Sequence, residues 1–319
     1  MKRTYTRLLL FLVPFILNAF IILVVDPYNI LNTGLIPKET KYRCIGRSGA
    51  SLPRGQVPYK MAQFDRSPIQ NVIFGDSRMT HLNCKYFVKK QKEGIYNFAI
   101  AGGNVQTAID FFWFCAEKIK LKRVFFQIEF MNFSDAVNYD LVKPYRDYKE
   151  SIFKYLISKS ASIDTYALIY YLISANDRFV DICYHERNID TWKRSYDGFE
   201  KKLSIYKYPK IYLSEFNKIK NFCLEQNIDI YFIILPNYIT YYDVIRKHEM
   251  VDDYNTFISN INRLGTLLEP VSLGGFTKDK NNYRDIFHYC AHRFDSISNE
   301  IWKQYFRIVN DLSLDVAKR

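Results

Sequence analysis

The sequence predicts an α/β fold in which a parallel β-sheet is covered by helices on both faces. Two observations carry this prediction: short apolar runs alternate with longer segments of helical periodicity, and most of these runs end at Gly, Asn or Pro. Such alternation is typical of parallel strands joined by helical crossovers. About five runs favour a flavodoxin-like, three-layer α/β/α arrangement.

The elements follow one another regularly except for one long insertion. The predicted strands are residues 69–74, 95–101, 124–131, 228–235 and 266–271. The predicted helices are residues 80–91, 105–119, 210–226, 254–263 and 292–312. Residues 135–209 have helical patterning near 148–157 and 163–175, which predicts a helical insertion in a domain spanning 69–319. Its apolar stretch, 166–173, either packs into the core or forms a lid.

The N-terminal segment has the pattern of a membrane anchor. Basic residues within the first seven precede residues 8–25, which are apolar except for Pro14 and Asn18. A helix of this length spans about 27 Å, close to the hydrocarbon core of a bilayer, and a basic flank stays in the cytoplasm. We therefore predict a cytoplasmic stub and transmembrane signal anchor over 1–25. The chain is then a single-pass protein of the cell membrane whose C-terminal domain lies outside the cytoplasm.

Two features of the N-terminal region leave alternatives open. Residues 8–25 can also be a cleaved signal peptide or a buried core helix, although no small-x-small cleavage site follows the run. Residues 26–68 contain several Pro, Gly and basic residues and are predicted to form an irregular, partly ordered juxtamembrane arm. This arm either contacts anionic headgroups or is a solvated linker.

Composition limits the classes of partner. The 319 residues, of which 48% are hydrophobic, suffice for one large domain or two small ones. A formal net charge of +12 fits phospholipid headgroups, an acidic glycan or nucleic acid. Because no nucleic-acid-binding motif or basic helix is found, we predict that nucleic acid is not a partner.

The cysteines are spread singly along the sequence, with no C-x-x-C pair, and this spacing disfavours a zinc site. We predict that most of them are small, buried apolar side chains. They are Cys44, Cys84, Cys115, Cys183, Cys223 and Cys290.

Polar side chains follow the carboxyl ends of the predicted strands. They are Ser77, in the tight Gly75-Asp76-Ser77 turn, then Gly102, Asn132 and Asn237, and finally Asp285 and His288. Because the carboxyl ends of parallel strands share one edge, we expect these residues to converge on one cleft. Taken alone, the tripeptide is more typical of an ordinary strand-to-helix connection in which Asp76 or Ser77 is the helix N-cap.

The residue types in this group fit nucleophilic catalysis. Ser77 needs a base to take its proton, and histidine, with an unperturbed pKa of about 6.5, is suited to that task. Asp285 lies three residues before His288, so in a turn it can bind the other ring nitrogen and fix the tautomer. The backbone N–H groups of Gly102 and Ser77, with an Asn amide, can stabilise an oxyanion.

Some of these residues also fit other uses. His288 and His292 have the spacing to hold a metal together with Asp285, but no further ligand is evident, so we predict neither a metal nor a cofactor. Arg78 can meet an anionic substrate, although an exposed, solvated arginine is the expectation. Because Met79 stands where the G-x-S-x-G elbow needs glycine, an α/β-hydrolase fold is disfavoured.

These motifs resemble the SGNH/GDSL hydrolase superfamily. Gly75-Asp76-Ser77 after the first strand, a glycine after the second and Asp285-x-x-His288 near the C terminus carry the resemblance. It covers residue 69 to the final helix, without the insertion. The family's Gly-x-Asn-Asp block is missing, because Phe133 and Ser134 follow Asn132.

The resemblance implies a site and an activity. Some members of this superfamily are similar in outline to this chain. They take part in D-alanyl transfer to teichoic acids and in alginate O-acetylation, and they place a flavodoxin-like esterase or acyltransferase domain behind one membrane anchor. The implied roles are Ser77 as nucleophile, His288 as base, Asp285 as its orienting residue, and Gly102 and Asn132 in the oxyanion hole. We expect an extracytoplasmic serine esterase or O-acyltransferase acting on a cell-envelope glycan, with a membrane-bound acyl-transfer partner. The alternatives are a lipid or small-ester hydrolase and a non-catalytic scaffold in envelope polysaccharide assembly.

Overall fold

The chain divides into two compact units. The computed structural model describes residues 2–45, 55–136, 140–175, 189–269 and 275–317. Unit 1 comprises Met1–Pro68 and Asp140–His185, and unit 2 comprises Ile69–Tyr139 and Glu186–Arg319. Cys183 and the end of the fifth predicted strand, from residue 270, lie outside the described residues.

The helices and strands have the following bounds in chain order. The strands are β1 (Asn71–Phe74), β2 (Tyr96–Asn97), β3 (Arg123–Gln127), β4 (Asp229–Ile233) and β5 (Thr266–Leu268). The helices are α1 (Lys2–Val25), α2 (Lys38–Cys44), α3 (Gln56–Arg66), α4 (Lys85–Gln91), α5 (Val105–Lys118), α6 (Lys143–Glu150), α7 (Ile152–Leu156), α8 (Lys159–Ser174), α9 (Ile189–Ser204), α10 (Lys210–Gln226), α11 (Ile239–Lys247), α12 (Val251–Leu264) and α13 (Phe294–Ala317).

A parallel sheet forms the centre of unit 2. Within the described residues it has five strands in the order β2-β1-β3-β4-β5. In its central pair, Val72 lies opposite Val124 and Phe74 lies opposite Phe126. The predicted α/β fold with a parallel sheet of about five strands is confirmed. Because the strands run in the same direction, their carboxyl ends lie at one edge.

Helices bury both faces of this sheet, which explains why its strands read as continuous apolar runs. Phe125 and Phe126 are adjacent in β3 and point to opposite faces. The ring of Phe125 packs against Trp302 of α13 with centroids 5.5 Å apart, and the ring of Phe126 packs against Phe216 of α10 at 5.3 Å. All four side chains are fully buried. Burial of each such ring contributes about 1.5–3 kcal/mol to folding.

The helix after β1 begins later than the sequence predicts. α4 starts at Lys85 rather than at residue 80 because the intervening chain forms tight turns. The Met79 N–H donates to the Asp76 carbonyl, and the Leu82 N–H donates to the Met79 carbonyl, both at 3.1 Å. Apolar spacing continues through these turns, so periodicity alone does not reveal them.

Unit 1 is a group of helices joined by buried polar side chains. The Asp26 carboxylate accepts hydrogen bonds from the Asn32 N–H at 2.8 Å and from the Tyr155 hydroxyl at 2.9 Å. The Tyr28 hydroxyl donates to Asp164 at 2.8 Å. These contacts order the chain after α1. Residues 26–68 were expected to form an irregular arm. They differ from this prediction because they contain the helices α2 and α3.

The predicted insertion is shared between the two units. α6, α7 and α8 belong to unit 1, whereas α9 belongs to unit 2. The apolar stretch 166–173 lies in α8, where Leu168 packs with Val25 and Cys44. Tyr170 and Ile173 of the same stretch are 41% and 83% exposed. One side of this stretch thus packs into unit 1 and another side faces outward.

α1 covers the segment for which a membrane anchor is predicted. Within the part of the chain that the structure describes, no helix combines the length and apolar character needed to cross a bilayer. The anchor over residues 8–25 stays a prediction from the sequence.

The described cysteines are free thiols. Cys44, Cys115 and Cys223 are buried, and Cys84 and Cys290 are half-buried. Burial raises the pKa of the Cys223 thiol to about 12, so this side chain is a neutral thiol packed in the core.

Candidate active site

The Gly75-Asp76-Ser77 turn follows β1 and is held against β3. A Cβ atom at Gly75 would lie 2.9 Å from Gln127 Oε1 and 3.1 Å from Gln127 Cβ, so a larger residue here would displace the Gln127 side chain. The same Gln127 oxygen accepts the Asp76 N–H at 2.8 Å, and the Asp76 carboxylate accepts the Arg78 N–H at 2.9 Å. The turn therefore presents a half-buried Ser77 at the carboxyl edge of the sheet.

Ser77, His288 and Asp285 form one continuous line of hydrogen bonds. Ser77 Oγ lies 2.7 Å from His288 Nε2, although the two residues are 211 positions apart in the sequence. His288 Nδ1 lies 2.9 Å from Asp285 Oδ2. The structure thus brings into contact the three side chains that the sequence analysis placed at one edge of the sheet.

A tight turn holds the histidine in place. Asp285 Oδ1 accepts the N–H groups of Phe287 and His288, both at 2.9 Å. The Arg284 N–H donates to the His288 carbonyl at 2.7 Å. Asp285 therefore fixes the backbone of this turn and the orientation of the imidazole with one carboxylate.

The protonation states follow from burial and hydrogen bonding. Burial raises the pKa of Asp285, but the hydrogen bond to His288 and the two backbone N–H groups bring the pKa of this carboxyl below its usual value. An ionised carboxylate only accepts hydrogen bonds. The Nδ1 atom of His288 therefore carries the ring hydrogen, and Nε2 accepts from the Ser77 hydroxyl. A general base for Ser77 requires this tautomer.

The two residues expected in the oxyanion hole lie at the ends of β2 and β3. Gly102 has a φ of +71°, a left-handed conformation that favours glycine. Asn132 ends a short 3-10 turn after β3. It lines a cavity at the sheet edge together with Gly75, Asp76 and Gly103. Of the two neighbouring glycines after β2, the one that lines this cavity is Gly103.

Arg78 is buried, with 4% of its surface exposed, so the expectation of an exposed side chain is wrong. Its guanidinium donates to Asp76 Oδ2 at 2.7 Å and to Glu129 Oε2 at 2.5 Å. Two buried carboxylates thus compensate the loss of hydration around the cation. Adjacency to Ser77 does not reveal this environment, because Glu129 lies 51 positions further along the chain.

This buried network extends to the end of β4. Asn237 accepts a hydrogen bond from Arg78 Nη1 at 3.0 Å and donates one to Glu129 at 3.2 Å. Tyr241 of α11 also donates its hydroxyl to Glu129. Burial raises the pKa of Asp76, but the charge and hydrogen bonds of Arg78 reverse this effect and lower it. The network joins the ends of β1, β3 and β4, so it fixes the loops that form the site.

Sequence reasoning missed Glu129 and Lys202. Glu129 lies two residues after β3, and this strand-end position is a signal that could have placed it at the sheet edge. Lys202 belongs to α9, and its Nζ donates to Asn132 Oδ1 at 3.0 Å. No local pattern marks Lys202 among the lysines of this amphipathic helix.

The contacts of His288 differ from those of a metal ligand. Its two ring nitrogens face Ser77 and Asp285. Over the ranges that the structure describes, no three His, Cys, Asp or Glu side chains are arranged to hold a metal ion. The alternative in which His288, His292 and Asp285 bind a metal therefore gains no support from their geometry.

No family model matches this chain, and a search of curated proteins finds no match to it.

Proposed function

We propose that the protein is a serine esterase or O-acyltransferase that forms a covalent acyl-serine at Ser77. One observation carries the proposal, the hydrogen-bonded line from Ser77 Oγ through His288 to Asp285. A serine hydroxyl is a weak nucleophile unless a base accepts its proton. His288 is in direct contact with that hydroxyl, and Asp285 fixes its tautomer.

The proposed reaction has two halves. Ser77 Oγ attacks the carbonyl carbon of an ester while its proton moves to His288 Nε2. The tetrahedral oxyanion collapses, the bond to the alkoxide breaks, and His288 gives the proton to the leaving oxygen. Water or a sugar hydroxyl then loses its proton to Nε2 and attacks the acyl-serine. When this second intermediate collapses, Ser77 recovers its proton and an acid or a new ester leaves.

The fold supports the resemblance to SGNH/GDSL hydrolases. The strand order is that of flavodoxin-like doubly wound sheets, and helices contact both sheet faces through Phe125 and Phe126, as a three-layer α/β/α arrangement requires. Under this proposal Asn132 and the loop of Gly102 and Gly103 face the oxyanion. No cofactor takes part in any step.

The proposed substrate is an acylated glycan of the cell envelope. The resemblance to proteins of teichoic-acid D-alanylation and alginate O-acetylation supports this class, and a net charge of +12 fits an acidic polymer. An anchor over residues 8–25 would hold the catalytic domain outside the cytoplasm, where a membrane-bound acyl-transfer protein is the proposed partner.

Covalent labelling tests the proposed nucleophile. A fluorophosphonate is added to the full chain, and the labelled peptide is located by mass spectrometry. We expect labelling at Ser77, none in Ser77→Ala, and slower labelling in His288→Ala, because no imidazole takes the serine proton. Ser204→Ala removes an exposed serine of α9 and should label like the wild type. Absence of labelling in the wild type would contradict the proposal and favour a scaffold.

The ester content of the cell envelope distinguishes acyl transfer from hydrolysis. Acetyl and D-alanyl esters are quantified in strains with wild-type protein and with Ser77→Ala. A transferase predicts less of one ester in the variant, and a glycan esterase predicts more of it. Unchanged content with intact labelling of Ser77 would favour a lipid or small-ester hydrolase.

A further inference from the structure

Lys202 is a mostly buried cation beside the amide of Asn132. Its Nζ donates to Asn132 Oδ1 at 3.0 Å, and within the described residues this is its hydrogen-bonding partner. Burial lowers the pKa of Lys202, while the charges of Asp76 and Glu129 counteract that effect. Burying an ammonium group opposes folding unless its surroundings replace the lost hydration. The placement of this lysine therefore points to a role beyond solubility.

An ammonium group can only donate hydrogen bonds, which determines how Asn132 is oriented. The atom that meets Nζ must be Oδ1, so the two N–H bonds of Nδ2 point to the other side. Asn132 lines the cavity that also contacts Asp76 and Gly103, beside the turn of Ser77. Its Nδ2 makes no hydrogen bond to any described residue, so its N–H groups can donate to a ligand.

α9 holds Lys202 firmly against this loop. One turn before it, Phe199 stacks on Tyr241 with centroids 4.5 Å apart and planes 6° from parallel. Beyond the helix, the Lys207 N–H donates to Ser134 Oγ at 3.1 Å, two residues after Asn132. These two contacts hold the backbone of α9 and the segment after it against this loop, so Lys202 lies within reach of Asn132.

We propose that Lys202 is a positioning residue that aims the Asn132 amide at the oxyanion formed on attack by Ser77. The inference rests on the proposed function. The charge-assisted bond to Oδ1 also polarises the amide, because hydrogen bonds in a chain strengthen one another. Nδ2 is then a better donor to an oxyanion. In this chain, where Phe133 and Ser134 follow Asn132, the lysine on Oδ1 is the contact that sets the direction of the amide.

A double-mutant cycle tests this role with p-nitrophenyl acetate as the probe ester and the full chain as the enzyme. Asn132→Ala should lower kcat by about 10²–10³-fold, as loss of one oxyanion donor does. Lys202→Met should lower kcat by about tenfold with KM nearly unchanged, the effect of one weakened hydrogen bond. Lys202→Arg should restore most of the loss. In the Asn132→Ala background, Lys202→Met should have no further effect.

The outcomes separate this inference from the proposed function. Lys202→Met could keep the wild-type kcat, or it could lower kcat by the same factor in the wild-type and Asn132→Ala backgrounds. Either result would overturn the inference that Lys202 positions the amide, while the esterase proposal would stand. A matching loss of thermal stability that Lys202→Arg does not repair would mark a structural role and overturn it too. If the wild type neither hydrolyses the ester nor labels at Ser77, both proposals fail.

Discussion

In the proposed mechanism, the Asp285 carboxylate determines which nitrogen of His288 can act as a base. An amide in its place would donate a hydrogen bond to Nδ1, so the ring hydrogen would move to Nε2 and the base would be blocked. We expect Asp285→Asn to lower kcat by about 10⁴-fold, as the corresponding change does in a serine protease. KM for p-nitrophenyl acetate should change little. Wild-type kcat in a folded Asp285→Asn protein would contradict the assigned tautomer.

Arg78 is the cation that makes two buried carboxylates tolerable. Arg78→Met leaves Asp76 and Glu129 without their shared partner. We expect the free energy of unfolding in urea to fall by about 3–5 kcal/mol. Arg246 is the matched control, because it pairs with Asp243 at the surface and its change to Met should cost less than about 1 kcal/mol. Equal losses for the two variants would show that the buried network does not stabilise the fold.

At the scale of single residues, the sequence predicts those side chains of the site that are marked by the end of a strand or by a specific residue type. Ser77 could be found because it follows the end of β1, and Asp285 and His288 could be found because their residue types and three-residue spacing are chemically specific. The burial of Arg78 could not be found, because its partners Glu129 and Asn237 lie 51 and 159 positions away. A contact over such distances depends on the tertiary fold and leaves no local pattern.

At the scale of elements, β1 and β2 approach closely where they end. The Ile100 N–H donates to the Gly75 carbonyl at 3.1 Å, and a Cβ atom at Gly103 would lie 2.9 Å from the same carbonyl oxygen. Gly103→Ala therefore forces two backbones apart. We expect it to lower the free energy of unfolding by about 1–3 kcal/mol and to reduce kcat, because the displaced loops carry the site.

Gly198 is the matched control for this prediction. It lies inside α9, and a Cβ atom there would meet nothing within 4 Å. Gly198→Ala should raise the free energy of unfolding by about 0.5–1 kcal/mol, because alanine loses less backbone entropy in a helix. A Gly103→Ala protein as stable as Gly198→Ala would refute the close approach of the strand ends.

Helices and strands with strong apolar patterns could be predicted from the sequence, but the residues at which some of them begin could not. α10 occupies residues 210–226 in the sequence prediction and Lys210–Gln226 in the structure, because one of its faces packs on β4. β1, β3 and β4 were predictable because both of their faces are buried. The start of α4 was not, since Met79 and Leu82 fit helical spacing but lie in turns. The sharing of the insertion between two units was also beyond reach, because it depends on contacts between distant segments.

For the whole molecule, the depressed pKa values of Asp76 and Asp285 predict a loss of stability in acid. A carboxyl whose pKa is lower in the folded than in the unfolded state stabilises the fold above its unfolded value of about 3.9. This contribution is lost as the pH falls through the folded value. Urea unfolding should therefore show a decrease in stability below about pH 4. Asp285→Asn should show a smaller decrease, and identical acid profiles would contradict the assigned ionisation.

The central claim concerns the chemistry at Ser77, and a rapid-quench experiment with p-nitrophenyl acetate tests it most directly. The release of p-nitrophenol is followed while mass spectrometry locates any acetyl group on the protein. We expect a burst of about one equivalent per chain and a transient acetyl ester on the peptide that contains Ser77. Turnover without an acyl-protein, or acetyl groups on a different residue, would contradict the account.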